Sequence, residues 1–109
     1  MATKPTPRVR LPAQVKAGEL IEIKTLISHP MESGYRVGPN GTMIPRDIIR
    51  LFTCTYNGKE VFRAELSPAI AANPFLSFFT TAVASGTLAF RWTGDNGFEA
   101  THIAEITVE

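Results

Sequence analysis

Residues 48–66 read IIRLFTCTYNGKEVFRAEL, and this stretch decides the fold. Ile48 to Tyr56 is rich in β-branched and aromatic residues, which suit a pleated, half-buried surface. Asn57-Gly58 follows, and both residues tolerate the positive φ that a two-residue type I′ turn requires. Lys59 to Leu66 then returns with Phe62, Ala64 and Leu66 on one face and Arg63 and Glu65 on the other. A β-hairpin is the reading these three pieces share.

The same period-two pattern runs outward in both directions. In Glu19 to Ile27 (ELIEIKTLI), Ile21, Ile23, Thr25 and Ile27 share one face while Glu22 and Lys24 lie on the other. Thr87 to Thr93 places Leu88, Phe90 and Trp92 together, and Gly94-Asp95-Asn96-Gly97 forms a tight turn. Phe98 to Glu109 closes the chain with Ala100, Ala104, Ile106 and Val108 on one side. Phe75 to Val83 (FLSFFTTAV) is a further strand, and Arg8 to Leu11 is a short edge strand stopped by Pro12. Ser67 to Pro74 is bounded by breakers and holds a helical turn at most. About seven short strands and no long helix predict an all-β protein, an antiparallel immunoglobulin-like β-sandwich. An up-and-down barrel is the alternative. Residues 1–7 read as a disordered N-terminal arm and 8–109 as one domain.

Composition narrows the function classes. At 109 residues with 44% hydrophobic content, one domain with a sizeable core is expected. Eleven basic and ten acidic residues are interspersed and sum to +1. That argues against electrostatic nucleic-acid binding, which needs a concentrated basic patch. No run approaches the roughly 20 apolar residues of a membrane helix. The polar, proline-punctuated start lacks the apolar stretch of an export signal. A cytoplasmic site, a leader trimmed before this sequence begins, or export in the company of a partner are the alternatives expected from it.

Between the strands lies a long insertion, Thr25 to Pro45 (TLISHPMESGYRVGPNGTMIP), without helical periodicity. Loops of this length in small domains are usually functional or disordered. His29, Met31, Tyr35 and Met43 give it the polar and soft-apolar mixture of a contact surface. Catalytic signatures are absent: there is no GxSxG, HExxH, phosphate loop or pair of CxxC knuckles. A copper or zinc site would have to draw on His29, Met31, Cys54 and His102, which are scattered along the chain. A small redox or metal-binding protein built on Cys54 and the histidines is therefore the rival reading, and no cofactor is expected. Cys54 itself reads as a small apolar residue inside a strand. His102 falls on the apolar side of the last strand and reads as a core or interface histidine. His29, in the loop, is expected to be more exposed, either capping the loop or touching a partner.

One anomaly points to a partner. Phe75, Leu76, Phe78 and Phe79 occupy both faces of one strand, and Ile48, Ile49, Leu51 and Phe52 do so in another. A strand with one wet face should alternate, so the second face must also be covered. The candidates are a partner protein, the 28–45 loop, or a bulge that flips the register. The interface residues selected on this basis are Phe75, Leu76, Phe78, Phe79 and Ile48 on the sheet, with His29, Met31, Tyr35 and Met43 on the loop. A homo-oligomeric sandwich would cover the same apolar face.

The segments IEIKTLISHPMESG (21–34), IPRDIIRLFTCTYNGKEVFRAELSPAIAANPFLSFF (44–79) and FRWTGDNGFEATHIAEITVE (90–109) resemble the SoxZ family. That family supplies the small subunit of the SoxYZ sulfur-carrier complex of bacterial thiosulfate oxidation. The resemblance runs from about Arg8 to Glu109, and its most specific pieces are Ile27 through Glu32 and Ser67 through Phe79. It implies an immunoglobulin-like sandwich and a tight heterodimer with SoxY, with a higher assembly left open. It also implies transient contact with other Sox enzymes and a periplasmic site reached by co-export with SoxY. In the family SoxY carries the sulfur on a cysteine of a glycine-rich C-terminal arm. This chain ends in EITVE without such an arm, so the resemblance implies a non-catalytic scaffold and gives Cys54 no substrate role.

Overall fold

The computed structural model describes residues 7–109, so the expected arm, except Pro7, lies outside the described residues. Eight strands run in chain order as β1 (Arg8–Arg10), β2 (Gln14–Val15), β3 (Leu20–Leu26), β4 (Ile49–Tyr56), β5 (Lys59–Glu65), β6 (Phe75–Thr81), β7 (Gly86–Gly94) and β8 (Glu99–Val108). They form two sheets, one ordered β1-β3-β6 and the other β2-β8-β7-β4-β5. This is an immunoglobulin-like sandwich of two packed sheets.

Local chemistry explains where the chain changes direction. Asn57 and Gly58 both hold positive φ (50° and 85°), as the two-residue hairpin between β4 and β5 demands. Pro12 lacks an N–H and cannot continue the β1–β3 ladder. The chain therefore crosses to the other sheet, where β2 runs beside β8 in parallel, with Gln14 opposite Thr107 and Val15 opposite Val108. This short parallel pair was not legible in the sequence, and it departs from a wholly antiparallel sandwich.

The core forms where the alternating faces meet. Ile21, Ile23 and Thr25 of β3 and Phe78 of β6 are buried against Phe52 and Cys54 of β4 and Leu88, Phe90 and Trp92 of β7. Phe52 sits among four rings, with centroids 5.0 Å from Trp92, 6.0 Å from Phe62 and Phe78, and 6.3 Å from Phe90. Each aromatic pair adds about 0.5–1.5 kcal/mol beyond the area it buries. Tyr56 closes one end, its hydroxyl donating to the Ala84 carbonyl and accepting from the N–H groups of Val83 and Ala84 at 3.3 Å.

Half of the two-sided apolar anomaly is resolved by register. Ile49 pairs with Gly94 but Leu51 pairs with Thr93, so Arg50 is the extra residue of a β-bulge. The bulge reverses the phase of the strand, and Ile48, Ile49 and Phe52 are all buried within the fold.

Candidate partner interface

Strand β6 retains the other half of the anomaly. It pairs with β3 along one side only, Leu26 opposite Phe75, Glu22 opposite Phe79 and Leu20 opposite Thr81. Among the described residues no strand lies along its other side. The alternation turns Phe78 into the core at 5% exposure and leaves Phe75 and Phe79 outside at 57% and 58%. Leu20 and Leu26 of β3, and Val83 just beyond β6, are also exposed, so large apolar side chains form a broken strip on the outer face of the three-stranded sheet. Charged side chains share this face: Glu22 and Lys24, ion-paired at 3.7 Å, stand on β3 between Leu20 and Leu26, and Arg8 and Arg10 lie on β1 opposite Leu26 and Lys24. Exposed apolar side chains interspersed with charges beside a free strand edge have the form of a docking surface.

The insertion is a hairpin-like excursion closed by two isolated β-bridges. Glu32 and Asp47 exchange backbone hydrogen bonds of 2.7 and 2.8 Å at its base, and Val37 bridges Met43 near its tip. Arg36 forks onto the Glu32 carboxylate (2.6 and 3.3 Å), which holds that carboxyl below its ordinary value. Arg46 forks onto Asp95 with two bonds of 2.9 Å, and the Ile48 N–H adds a third at 3.2 Å. The Arg46 guanidinium keeps the Asp95 carboxyl below the usual range. Tyr35 (79% exposed), Val37 and Met43 stand on the outside of this braced excursion.

His29 and Met31 belong to the base and not to the surface. His29 is 5% exposed, against the expectation of an open loop histidine. Its Nδ1 accepts the Met31 N–H at 2.9 Å, and its Nε2 lies 3.7 Å from the Asp47 carboxylate. Phe98 meets the ring edge-on at 4.7 Å. Burial lowers the imidazole pKa, opposed by the charges of Asp47 and Asp95. Met31 is buried, and its Sδ accepts the Ile49 N–H at 3.3 Å. Asn73, far along the chain, accepts the His29 N–H at 2.9 Å and donates its own N–H to the His29 carbonyl at 2.7 Å.

The nine selected residues therefore separate. Phe75, Phe79, Tyr35 and Met43 are exposed and Leu76 is half-buried, while Ile48, Phe78, His29 and Met31 are interior. The interior four support the two surfaces and do not themselves present a face. Leu20 and Leu26 were missed, although their phase, opposite to Ile21 and Ile23, marks them as outward. Cys54 is fully buried, and burial pushes its thiol up to about 12. Among the described residues no three His, Cys, Asp or Glu side chains are gathered to hold a metal ion. His102, half-buried, lies 6.2 Å from Phe90 on the inner face of β8.

Solved structures share the fold. A superoxide reductase (neelaredoxin) from Ignicoccus hospitalis is 19% identical with a TM-score of 0.70, covering 95% of this chain and 80% of that one. The sulfur carrier protein SoxY from Chlorobium limicola f thiosulfatophilum is 12% identical with a TM-score of 0.65, covering 94% and 78%. A putative superoxide reductase from Thermotoga maritima is 19% identical with a TM-score of 0.64, covering 94% and 85%. At such identities the likeness is one of fold alone. No curated protein matches. The family model for the sulphur oxidation protein SoxZ matches residues 9–105, which takes in both sheets, the excursion and the β5–β6 connection; the chain belongs to the SoxZ family.

Proposed function

We propose that the chain is the non-catalytic scaffold subunit of a SoxYZ-type sulfur-carrier complex. In this reading it forms a heterodimer with SoxY and helps present SoxY's cysteine-bound sulfur intermediates to the other Sox enzymes during thiosulfate oxidation. Family membership across residues 9–105 carries the proposal. The apolar strip of Leu26, Phe75 and Phe79 supports it, because it gives SoxY a surface to cover. The exposed tip residues Tyr35 and Met43 supply a second contact, to SoxY or to visiting enzymes. A periplasmic site, reached by export together with SoxY, is part of the same proposal.

The rival redox or metal reading has little to stand on. Cys54 faces the aromatic core, and a thiol pushed up to about 12 is a poor nucleophile and a poor ligand.

Co-expression with SoxY, followed by capture on a tag carried by SoxY, tests the proposal. The expected result is recovery of this chain in an equimolar complex. Phe79→Asp should abolish recovery while leaving the isolated chain folded. Failure of the unsubstituted chain to co-purify would sink the scaffold reading. Undiminished capture of Phe79→Asp would sink only the assignment of the face.

A further inference from the structure

His29 joins four separate parts of the chain at the base of the excursion. Its Nδ1 accepts the Met31 N–H at 2.9 Å, and its backbone is clasped by Asn73 with bonds of 2.9 and 2.7 Å. Its Nε2 faces Asp47 at 3.7 Å, and Phe98 packs on the ring edge. The Met31 bond fixes the tautomer, because an accepting Nδ1 carries no proton and Nε2 must. Met31 meanwhile holds φ at 49°, a left-handed conformation that a side-chain-bearing residue adopts at a cost. Its buried side chain in turn receives the Ile49 N–H. The base is thus held closed against local backbone strain by an acceptor that one proton removes.

We propose that His29 is an acid-operated latch: a proton on Nδ1 ends its acceptance of the Met31 N–H, and the base of the excursion between residues 28 and 47 opens.

The surroundings favour opening over simple protonation in place. The charged groups that face the ring are Asp47, before β4, and Asp95, in the turn after β7. Asp95 is already committed to Arg46 and to the Ile48 N–H, and the nearby Glu32 to Arg36. Asp47 can pair with an imidazolium only across the present 3.7 Å gap. Burial outweighs both carboxylates and keeps the closed-state pKa below 6.5. The open state therefore binds the proton more tightly, and closed-state stability is lost as pH falls from 6.5 toward the lowered value. Because the excursion carries Tyr35 and Met43, opening would displace the outer tip and release the Ile49 N–H at the start of β4, with β7 and β8 left in place. The inference stands on the geometry of the base and goes beyond the scaffold proposal, whose truth it does not require.

Amide ¹⁵N–¹H spectra of the full chain, recorded from about pH 8 to about pH 5, test it. The amides of Met31, Glu32, Ile49 and Asn73 should shift together with one midpoint below 6.5, while β7 and β8 stay still. Met31 protection against hydrogen exchange should fall by up to tenfold per pH unit as pH drops from 6.5 toward that midpoint, as one proton requires. In His29→Asn the amide oxygen replaces the Nδ1 acceptor but does not titrate, so the response should vanish. An unchanged Met31 protection across the range, or the same response in His29→Asn, would overturn the latch. Should that variant fail to fold, ¹⁵N shifts of the imidazole near pH 8 decide. A protonated Nε2 and bare Nδ1 agree with the latch, and the opposite tautomer overturns it.

Discussion

Asn73 and His29 clasp each other with two hydrogen bonds in opposite directions, the Asn73 N–H to the His29 carbonyl at 2.7 Å and the His29 N–H to the Asn73 Oδ1 at 2.9 Å. The clasp joins the start of the excursion to the β5–β6 connection, 44 residues away. These are the two segments, Ile27–Glu32 and Ser67–Phe79, in which the family resemblance is most specific. One lies at the base of the tip surface and the other leads into the strand that bears the apolar strip. One contact thus ties the base of the tip surface to the connection that leads into β6.

Replacement of Asn73 separates the two demands made on it. Asn73 also holds φ at 53°, which glycine accepts and alanine resists. Asn73→Gly removes the side-chain acceptor of the His29 N–H and of the Ser28 hydroxyl, and should cost about 0.5–1.5 kcal/mol, the range for a part-buried hydrogen bond. Asn73→Ala should cost about 1 kcal/mol more, the penalty of the left-handed conformation. Urea unfolding of the two variants checks the order. Equal losses would mean that backbone strain at this position is not felt.

Adjacent phenylalanines on β6 should behave in opposite ways. Phe78 stacks on Phe62 with centroids 4.2 Å apart and planes 5° from parallel, linking the two sheets. Phe78→Ala should therefore destabilise the isolated chain by about 3–5 kcal/mol. Phe79→Ala, on the outer face, should change stability by about 0.5 kcal/mol or less. Capture by SoxY should show the reverse sensitivity at matched folded concentration, with Phe79→Ala weakening it. A large stability loss at Phe79 would mean that its ring is part of the fold and not of a docking face.

This contrast also shows how far the sequence could be read. Period-two alternation placed Phe90, Trp92, Ile21 and Ile23 correctly, because a strand's faces follow from local geometry alone. The Asn57-Gly58 turn was legible for the same reason. The phase at Ile48 and Ile49 was not, because the bulge at Arg50 depends on how β4 pairs with β7. Nor was the burial of His29, whose environment comes from Asn73, Asp47, Ile49 and Phe98. Those residues meet it only once both sheets have formed. Surface patches were half-legible: Leu20 and Leu26 carry the outward phase, but their exposure depends on nothing else packing over β3.

Gly94 is required for space and not for backbone freedom. Its φ of −162° is ordinary extended backbone. A Cβ there would lie 2.3 Å from the Ile48 carbonyl oxygen and 2.8 Å from the Ile49 Cα, both main-chain atoms that cannot yield cheaply. Gly94→Ala should push β7 away from the β4 bulge and cost about 1–3 kcal/mol, as overpacking does. The Arg46–Asp95 fork, one residue on, should loosen with it. Thermal melting measures the loss, and an unchanged melting temperature would show that the bulge readily shifts.

Cys54 offers the sharpest test of whether this chain carries chemistry of its own. Its side chain points between the sheets at zero exposure, opposite Phe62 on β5 and Phe90 on β7. Burial pushes the thiol up to about 12, so near neutral pH almost none is present as the reactive thiolate. Labelling by a thiol-specific disulfide reagent should then require the core to open. Its rate should plateau with reagent concentration at the opening rate, and denaturant should accelerate it. Cys54→Ala should leave SoxY capture intact while costing about 1 kcal/mol for the lost contacts. Rapid labelling of the folded chain, rising linearly with reagent, would show that the thiol reaches solvent. That result would return the small redox protein to contention against the scaffold.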